Sequence, residues 1–420
     1  MAGVRPFNAL HYDLEEVGGL ERVVAPPYDV IDDSRRSELA GRSPYNVVEL
    51  DLPRDPGGGD PYAHAANLLG RWKADGALVD DPGPALWALT QDYTAPDGRQ
   101  MTRRGFLARV KLAPYGEGVR PHERTQPGPK EDRLRLTRAT RHNLSPIFSL
   151  APGDAWPILE PALGRDPRGE VTDAEGTTHR VWRVGDPEVH AAVGAELADG
   201  ELLIADGHHR YETALPYARE VGGDLSADVP HNHVLMALVS LEDPGLTVFA
   251  TPRLLGELTR DQREGIREAA KERFELSEVS EADIVPSPDD PPGSFGYMDA
   301  HHLQPWRLVP KSQQVLDDAL TGGSDAYRRL DAAALEAIFL KGAVGLSAED
   351  IAAKKQLAYT PSADEAVARL KAKQADAAFF LRPTPVEQVR EVAAAGETMP
   401  PKSTYFFPKL LTGIVFNPLS

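Results

Sequence analysis

The chain has 420 residues, a net charge of −18 and no cysteine, so disulfides, thiolate nucleophiles and cysteine-ligated metal centres are excluded. Its acidic surface repels phosphate backbones, which argues against bulk nucleic acid or anionic membrane as partners; a phosphorylated ligand must be small and must enter a locally basic pocket. The length calls for two or three domains, no run is long enough to span a bilayer, and the opening MAGVRPFNAL lacks a signal-peptide core, so a cytoplasmic protein is expected.

Near the start, Pro26-Pro27 forbids a regular helix and makes a stiff loop that holds Tyr28 and Asp29 in fixed places. That loop suits a binding site, and equally a core cover formed by Tyr28. The stretch from Asp55 to Pro61 is a glycine-rich surface loop, not a phosphate cradle, because no Lys-Ser/Thr follows it. Apolar spacing predicts a helix from Tyr62 to Asp75. Ala85 to Tyr93 and Arg104 to Val110 predict a hairpin turning at Pro96-Asp97-Gly98.

From Arg120 to Arg141 the acidic chain reverses its charge locally. His122-Glu123 adds proton-transfer chemistry, and Lys130, Arg133, Thr137 and Arg141 fall on one face of a helix. Such a face suits bidentate contact with phosphate or carboxylate, or else is a solvated face neutralised by Glu123, Glu131 and Asp132. A hairpin within Val171 to Val184 and a helix from Pro187 to Ala198 read as scaffold.

The densest chemistry follows. Leu202 to Ala205 predicts a short buried strand, and Asp206-Gly207-His208-His209-Arg210 then leads into helical sequence. A strand turning through Asp-Gly into a helix presents backbone N–H groups to an anion, here beside up to three cations. Pro216 predicts a short or kinked helix. Val234 to Ser240 predicts an interior strand after His231-Asn232-His233, and a helix is expected within 253–280.

In the last third, Asp331 to Leu340 predicts a helix, Ser362/Glu365 and Thr384/Glu387 predict capping boxes, and Ala377 to Leu381 predicts a buried strand. The tail holds Lys402-Ser403-Thr404-Tyr405 and Lys409 between prolines, a rigid polar loop. The rhythm is that of a mixed α/β protein in several layers. The expected division is an N-terminal α/β domain over 1–250 carrying the His-Glu/Arg cluster and the loop at Asp206, and a C-terminal α/β domain over 251–420 whose tail returns to the site.

Val24 to Val30, Pro44-Tyr45-Asn46-Val47, Arg103-Arg104-Gly105-Phe106, His122-Glu123-x-Thr125, Lys130-x-x-Arg133-Leu134, Ser145-Pro146-Ile147-Phe148, Ala205 to Leu215 and Lys402 to Tyr405 together resemble a bacterial and archaeal family known as domain of unknown function 1015. Asp206 to Arg210 is also similar to the Asp-Gly-x-x-Arg element of the ParB/sulfiredoxin-like superfamily, with Thr213 where alanine is usual. That second resemblance implies a nucleotide-phosphate site. The first implies an association with serine biosynthesis, and hence a serine-like or phosphoserine-like substrate.

The expected function is small-molecule phosphotransfer, as kinase or phosphatase, on a serine-like, phosphoserine-like or nucleotide substrate. Asp206, His208, His209, Arg210, His122 and Glu123 are the candidate catalytic groups. Gly207, Lys130, Arg133, Arg141, Lys402, Ser403, Thr404, Tyr28 and Asp29 are the candidate binding groups. A nucleotide with Mg2+ is the candidate cofactor, with no metal ligands assigned. The alternative is a non-catalytic nucleotide-binding regulator.

Overall fold

The computed structural model describes residues 3–95, 98–123, 128–360 and 362–420. They divide into two units, each taken here by itself: 3–121 with 128–247 and 408–420, and 122–123 with 248–407. Thr125, Pro96 and Asp97, named above, lie outside the described residues.

In the first unit nine strands form one mixed sheet among the described residues. In chain order they are β1 (Val4–Arg5), β2 (Leu86–Thr94), β3 (Gln100–Lys111), β4 (Val119–Pro121), β5 (Ile147–Ala151), β6 (Gly169–Thr172), β7 (Thr178–Val184), β8 (Leu202–Asp206) and β9 (His233–Ser240). Across the sheet they run β4-β8-β5-β9-β3-β2-β7-β6, with β1 against β3. The expected hairpins are present as β2/β3, in register from Trp87↔Leu107 to Thr94↔Gln100, and as β6/β7. β9 lies between parallel β5 and antiparallel β3, and its residues are buried up to Ser240, which is why the run is apolar without alternation.

The helices of this unit include α1 (Asp33–Arg42), α2 (Pro61–Ala74), α3 (Gly128–Thr140), α4 (Pro187–Glu196) and α5 (His208–Val221). Helix α3 packs against both α2 and α5. That packing carries the basic stretch after residue 128 toward the strand–helix turn at Gly207. The strand β8 ends at Asp206 after a register shift against β5. The helix behind it is not short: it passes through Pro216 and runs to Val221. Pro216 is exposed, so its ring displaces no core packing, and the helix tolerates the one bond it cannot donate.

The second unit holds a six-stranded sheet: β10 (Arg253–Leu255), β11 (Phe274–Glu278), β12 (Phe295–Asp299), β13 (Trp306–Pro310), β14 (Leu357–Tyr359) and β15 (Ala377–Leu381), ordered β11-β13-β12-β15-β10-β14. The span 253–280 carries the expected helix, Arg260–Arg273, flanked by strands β10 and β11, whose Leu254, Leu255 and Phe274 are buried. The helix predicted from Asp331 is α-helical only to Leu335 and continues as a π-helix from Glu336 to Ala343. Ser362 caps its helix, accepting from Glu365 N at 3.2 Å. Thr384 does not cap: the next helix, Val386–Ala394, has Pro385 at its N-cap, and the Thr384 hydroxyl donates to Ser403 O at 3.3 Å.

Burial in the first unit holds the imidazoles of His11, His142 and His233 below their ordinary value of 6.5, because a cation is disfavoured away from water. Their folded pKa values are depressed, so below pH 6.5 the unfolded chain takes up protons that the folded chain refuses. The melting temperature is therefore expected to fall as the pH drops from 7.5 to 5.5. Calorimetric scans showing a constant or rising melting temperature over that interval would contradict it.

Candidate functional site

The loop at the end of β8 is built around one glycine. Gly207 has φ +94°, a left-handed conformation that side chains rarely adopt, and it is the N-cap of α5 without a capping side chain. Arg210 N and Tyr211 N bond back to Gly207 O at 2.9 and 3.2 Å, which closes the first turn. The Arg210 guanidinium folds over the same glycine: a Cβ there would stand 2.8 to 2.9 Å from its Nε, Cζ and Nη2. Gly207→Ala is accordingly expected to lose about 1–2 kcal/mol of stability through left-handed strain and to push the guanidinium aside. Urea unfolding measures the first effect and phosphate titration the second.

Arg210 donates through Nη1 to Pro146 O, and it has no carboxylate partner among the described residues. It shares a cleft of about 40 Å³ with Asp51, Arg133, Thr137, Ser145 and Thr213. Arg133, from α3, is 6 % exposed. It donates to Asp51 Oδ1 at 3.0 Å and Asp51 O at 2.8 Å through Nη1, and to Asp132 through Nε at 2.8 Å. Its guanidinium carbon also lies 4.3 Å from the centre of the Tyr28 ring. Three separated stretches thus meet here: the Pro26-Pro27 loop, α3 and the turn into α5.

The charges of this cluster act on one another. Burial pushes the Asp51 carboxyl up from its ordinary range, against the pull of Arg133 and Arg210. Burial also disfavours the charge on Arg133, but Asp51 and Asp132 outweigh it and hold that guanidinium more firmly protonated. The Tyr28 phenol is pushed up by burial, with Arg210 opposing. Asp29, from the same loop, is exposed and raises the Asp51 carboxyl further through its charge.

Asp51 was not among the residues expected from sequence. It sits at the end of the short helix Val48–Asp51, interleaved with the buried Val48 and Leu50. Two buried side chains hold that segment. Asn46 donates to Arg22 O and Val24 O and accepts from Val48 N, while Arg36 donates to Leu52 O and Glu49.

The other expected residues divide. Asp206 accepts from Lys409 Nζ at 2.8 Å, so one lysine of the tail does reach the loop. Lys130 pairs with Glu212 on α5 rather than lining the cleft. Arg141 lies beyond the end of α3, exposed and with φ 52°, so the helical face closes at Thr137 and Thr140. His208 and His209 open α5, half-buried, and the Thr213 hydroxyl donates to His209 O at 2.7 Å. Thr213, in the place of alanine, is therefore satisfied within its own helix.

His122 and Glu123 belong to the second unit, with Lys402, Ser403 and Thr404. There His122 Nε2 and Thr404 Oγ1 share a hydrogen bond of 2.7 Å, Glu123 accepts from Lys402 N at 2.8 Å, and Ser403 Oγ donates to Pro400 O at 2.6 Å. His122 is 1 % exposed and Ser403 2 %, so these groups are knitted into the unit's interior. The paired histidines elsewhere are structural: His233 bonds Val229 O and pairs with Asp228, and His302 pairs with Asp299.

A second buried polar group was not among the expected site residues. Arg103, from the motif Arg103-Arg104-Gly105-Phe106, is 1 % exposed on β3. It donates to Gln91 Oε1 and to Pro408 O at 2.6 Å, and Gln91 Nε2 donates to Lys409 O at 3.0 Å. These bonds fix the backbone from which Lys409 reaches Asp206. Burial lowers the Arg103 pKa to about 10, well above neutral pH, so the cation persists.

The molecule is a mixed α/β protein with an arginine-lined cleft at a strand–helix turn. The chain belongs to the family described as "Protein of unknown function (DUF1015)", which matches residues 4–333. No curated protein matches it. Among solved structures it is similar to a conserved hypothetical protein from Pyrococcus furiosus, at 15% identity over 69% of this chain and 87% of that one, TM-score 0.34. It is similar to a free serine kinase in complex with AMP, at 14% identity over 71% and 89%, TM-score 0.36. A third likeness is SbnI with a C-terminal truncation from Staphylococcus aureus, at 11% identity over 73% and 85%, TM-score 0.37. These likenesses are too distant to carry a substrate across. Among the described residues no helix is long and apolar enough to cross a membrane, and no three His, Asp or Glu side chains are grouped as metal ligands.

Proposed function

We propose that the protein is a small-molecule phosphotransfer enzyme that holds a phosphate at the turn Asp206–Arg210. The observation that carries this reading is Arg210: a guanidinium without a carboxylate partner among the described residues, folded over the N-cap of a 14-residue helix. One of its five N–H groups is engaged by Pro146 O and the others can meet a ligand, the helix dipole favours negative charge at the same end, and Arg133 lines the same cleft. His208 and His209, at the same turn, are the proposed proton carriers.

The larger neighbouring cleft, about 190 Å³ and also lined by Arg133, is a weaker candidate. Its arginines are engaged: Arg36 with Glu49 and Arg54 with Asp33. The test is a screen of the purified chain against inorganic phosphate, ATP, ADP, serine and phosphoserine, with and without magnesium. Phosphate transfer or release that disappears in His209→Ala supports the enzyme. Tight nucleotide binding without turnover supports a regulator, and no binding of any phosphate compound sinks both.

A further inference from the structure

The cleft contains a polar atom that the anion reading leaves unexplained. Asp51 is 3 % exposed; its Oδ1 accepts from Arg133, while its Oδ2 is buried without a hydrogen-bond partner. Buried carboxylate oxygens are normally satisfied, because leaving one bare forfeits the water it would have bound. The residue lines the same cleft as Arg210. The local charge also bears on what can bind. Asp29, Asp51 and Asp132 set three carboxylates against the two guanidiniums of Arg133 and Arg210. A ligand that is only an anion satisfies the guanidiniums alone; one that also presents a proton donor matches both parts.

We propose that the Asp51 carboxylate receives a hydroxyl or ammonium group on the same small ligand whose anionic group Arg210 holds. The inference rests on the anion reading of the turn and adds the ligand class: a compact phosphate or carboxylate bearing a hydrogen-bond donor a few bonds away. Burial, by pushing the Asp51 carboxyl up, makes it a better proton acceptor than a surface aspartate. Arg133, the Val48–Asp51 helix and the Asn46 bonds hold Asp51 in place, so the acceptor is positioned before the ligand arrives.

The test compares four probes on the full chain by titration calorimetry: inorganic phosphate, ethyl phosphate, 2-hydroxyethyl phosphate and phosphoethanolamine. The last two differ from ethyl phosphate by the added donor and separate hydroxyl from ammonium. One or both are expected to bind about tenfold more tightly than ethyl phosphate, the size of one charge-assisted hydrogen bond. That advantage should vanish in Asp51→Asn, which keeps the shape and loses the charge. Equal binding of all four, as when only a water meets Oδ2, overturns the inference and leaves the anion site standing. An advantage that persists in Asp51→Asn overturns the role of Asp51. Failure of every probe, inorganic phosphate included, overturns both. The wild-type comparison decides the matter even where the variant does not fold.

Discussion

Arg210→Ala will weaken phosphate binding about tenfold to hundredfold, the 1.5–3 kcal/mol typical of hydrogen bonds to a charged group. The fold should survive the change. Arg210 is half-buried, donates to one backbone carbonyl, Pro146 O, and has no carboxylate that its loss would strand. The helix N-terminus remains, so residual binding that weakens with salt is expected. Arg210→Lys should recover only part of the affinity, because an ammonium cannot reproduce the planar fork. Equal phosphate affinity in wild type and Arg210→Ala, measured at one ionic strength, would remove the turn from consideration as an anion site.

Arg133→Met will cost stability: about 3–5 kcal/mol, the range for removing one partner of a buried ion pair. Arg133 and Asp51 are 6 % and 3 % exposed, and the substitution strands the Asp51 carboxylate while deleting the contact with the Tyr28 ring. Burial already pushes the Asp51 carboxyl up with its partner present. Adding Asp51→Leu to the same chain should return most of the loss, since an apolar pair of similar volume often replaces a buried ion pair at little cost. Urea unfolding of the two single variants and the double variant completes the cycle. A double variant no more stable than Arg133→Met alone would show that a stranded charge is not the cause.

Local chemistry made much of this molecule legible. Strands β2, β3, β8 and β9 follow from apolar runs bounded by turn residues, and α2 and α4 from helical spacing. The strand-to-helix turn at Gly207 was equally readable, because Asp-Gly follows four apolar residues and precedes helix-compatible sequence from Tyr211 to Leu215. The failures have physical causes as well. Pro216 removes one intrahelical bond, yet the helix runs on past it to Val221 with Pro216 itself exposed. Thr384 carried a capping pattern, yet its hydroxyl found Ser403 O and Pro385 took the cap. Arg141 had the right spacing, but α3 ends before it.

Sequence alone determined the class of chemistry: no thiolates, an acidic surface, a cationic turn at Asp206–Arg210, and α/β layers. Those statements depend on composition and on contacts within a few residues. Tertiary structure decided which charges stay available. Lys130 is spent on Glu212, Lys409 meets Asp206, Arg103 is tied to Gln91 and Pro408 O, and Arg210 is left beside Asp51, a residue 159 positions away along the chain. Pairings of that kind depend on how α3, α5 and the Pro26-Pro27 loop pack, and packing between distant segments leaves no periodic mark in the sequence.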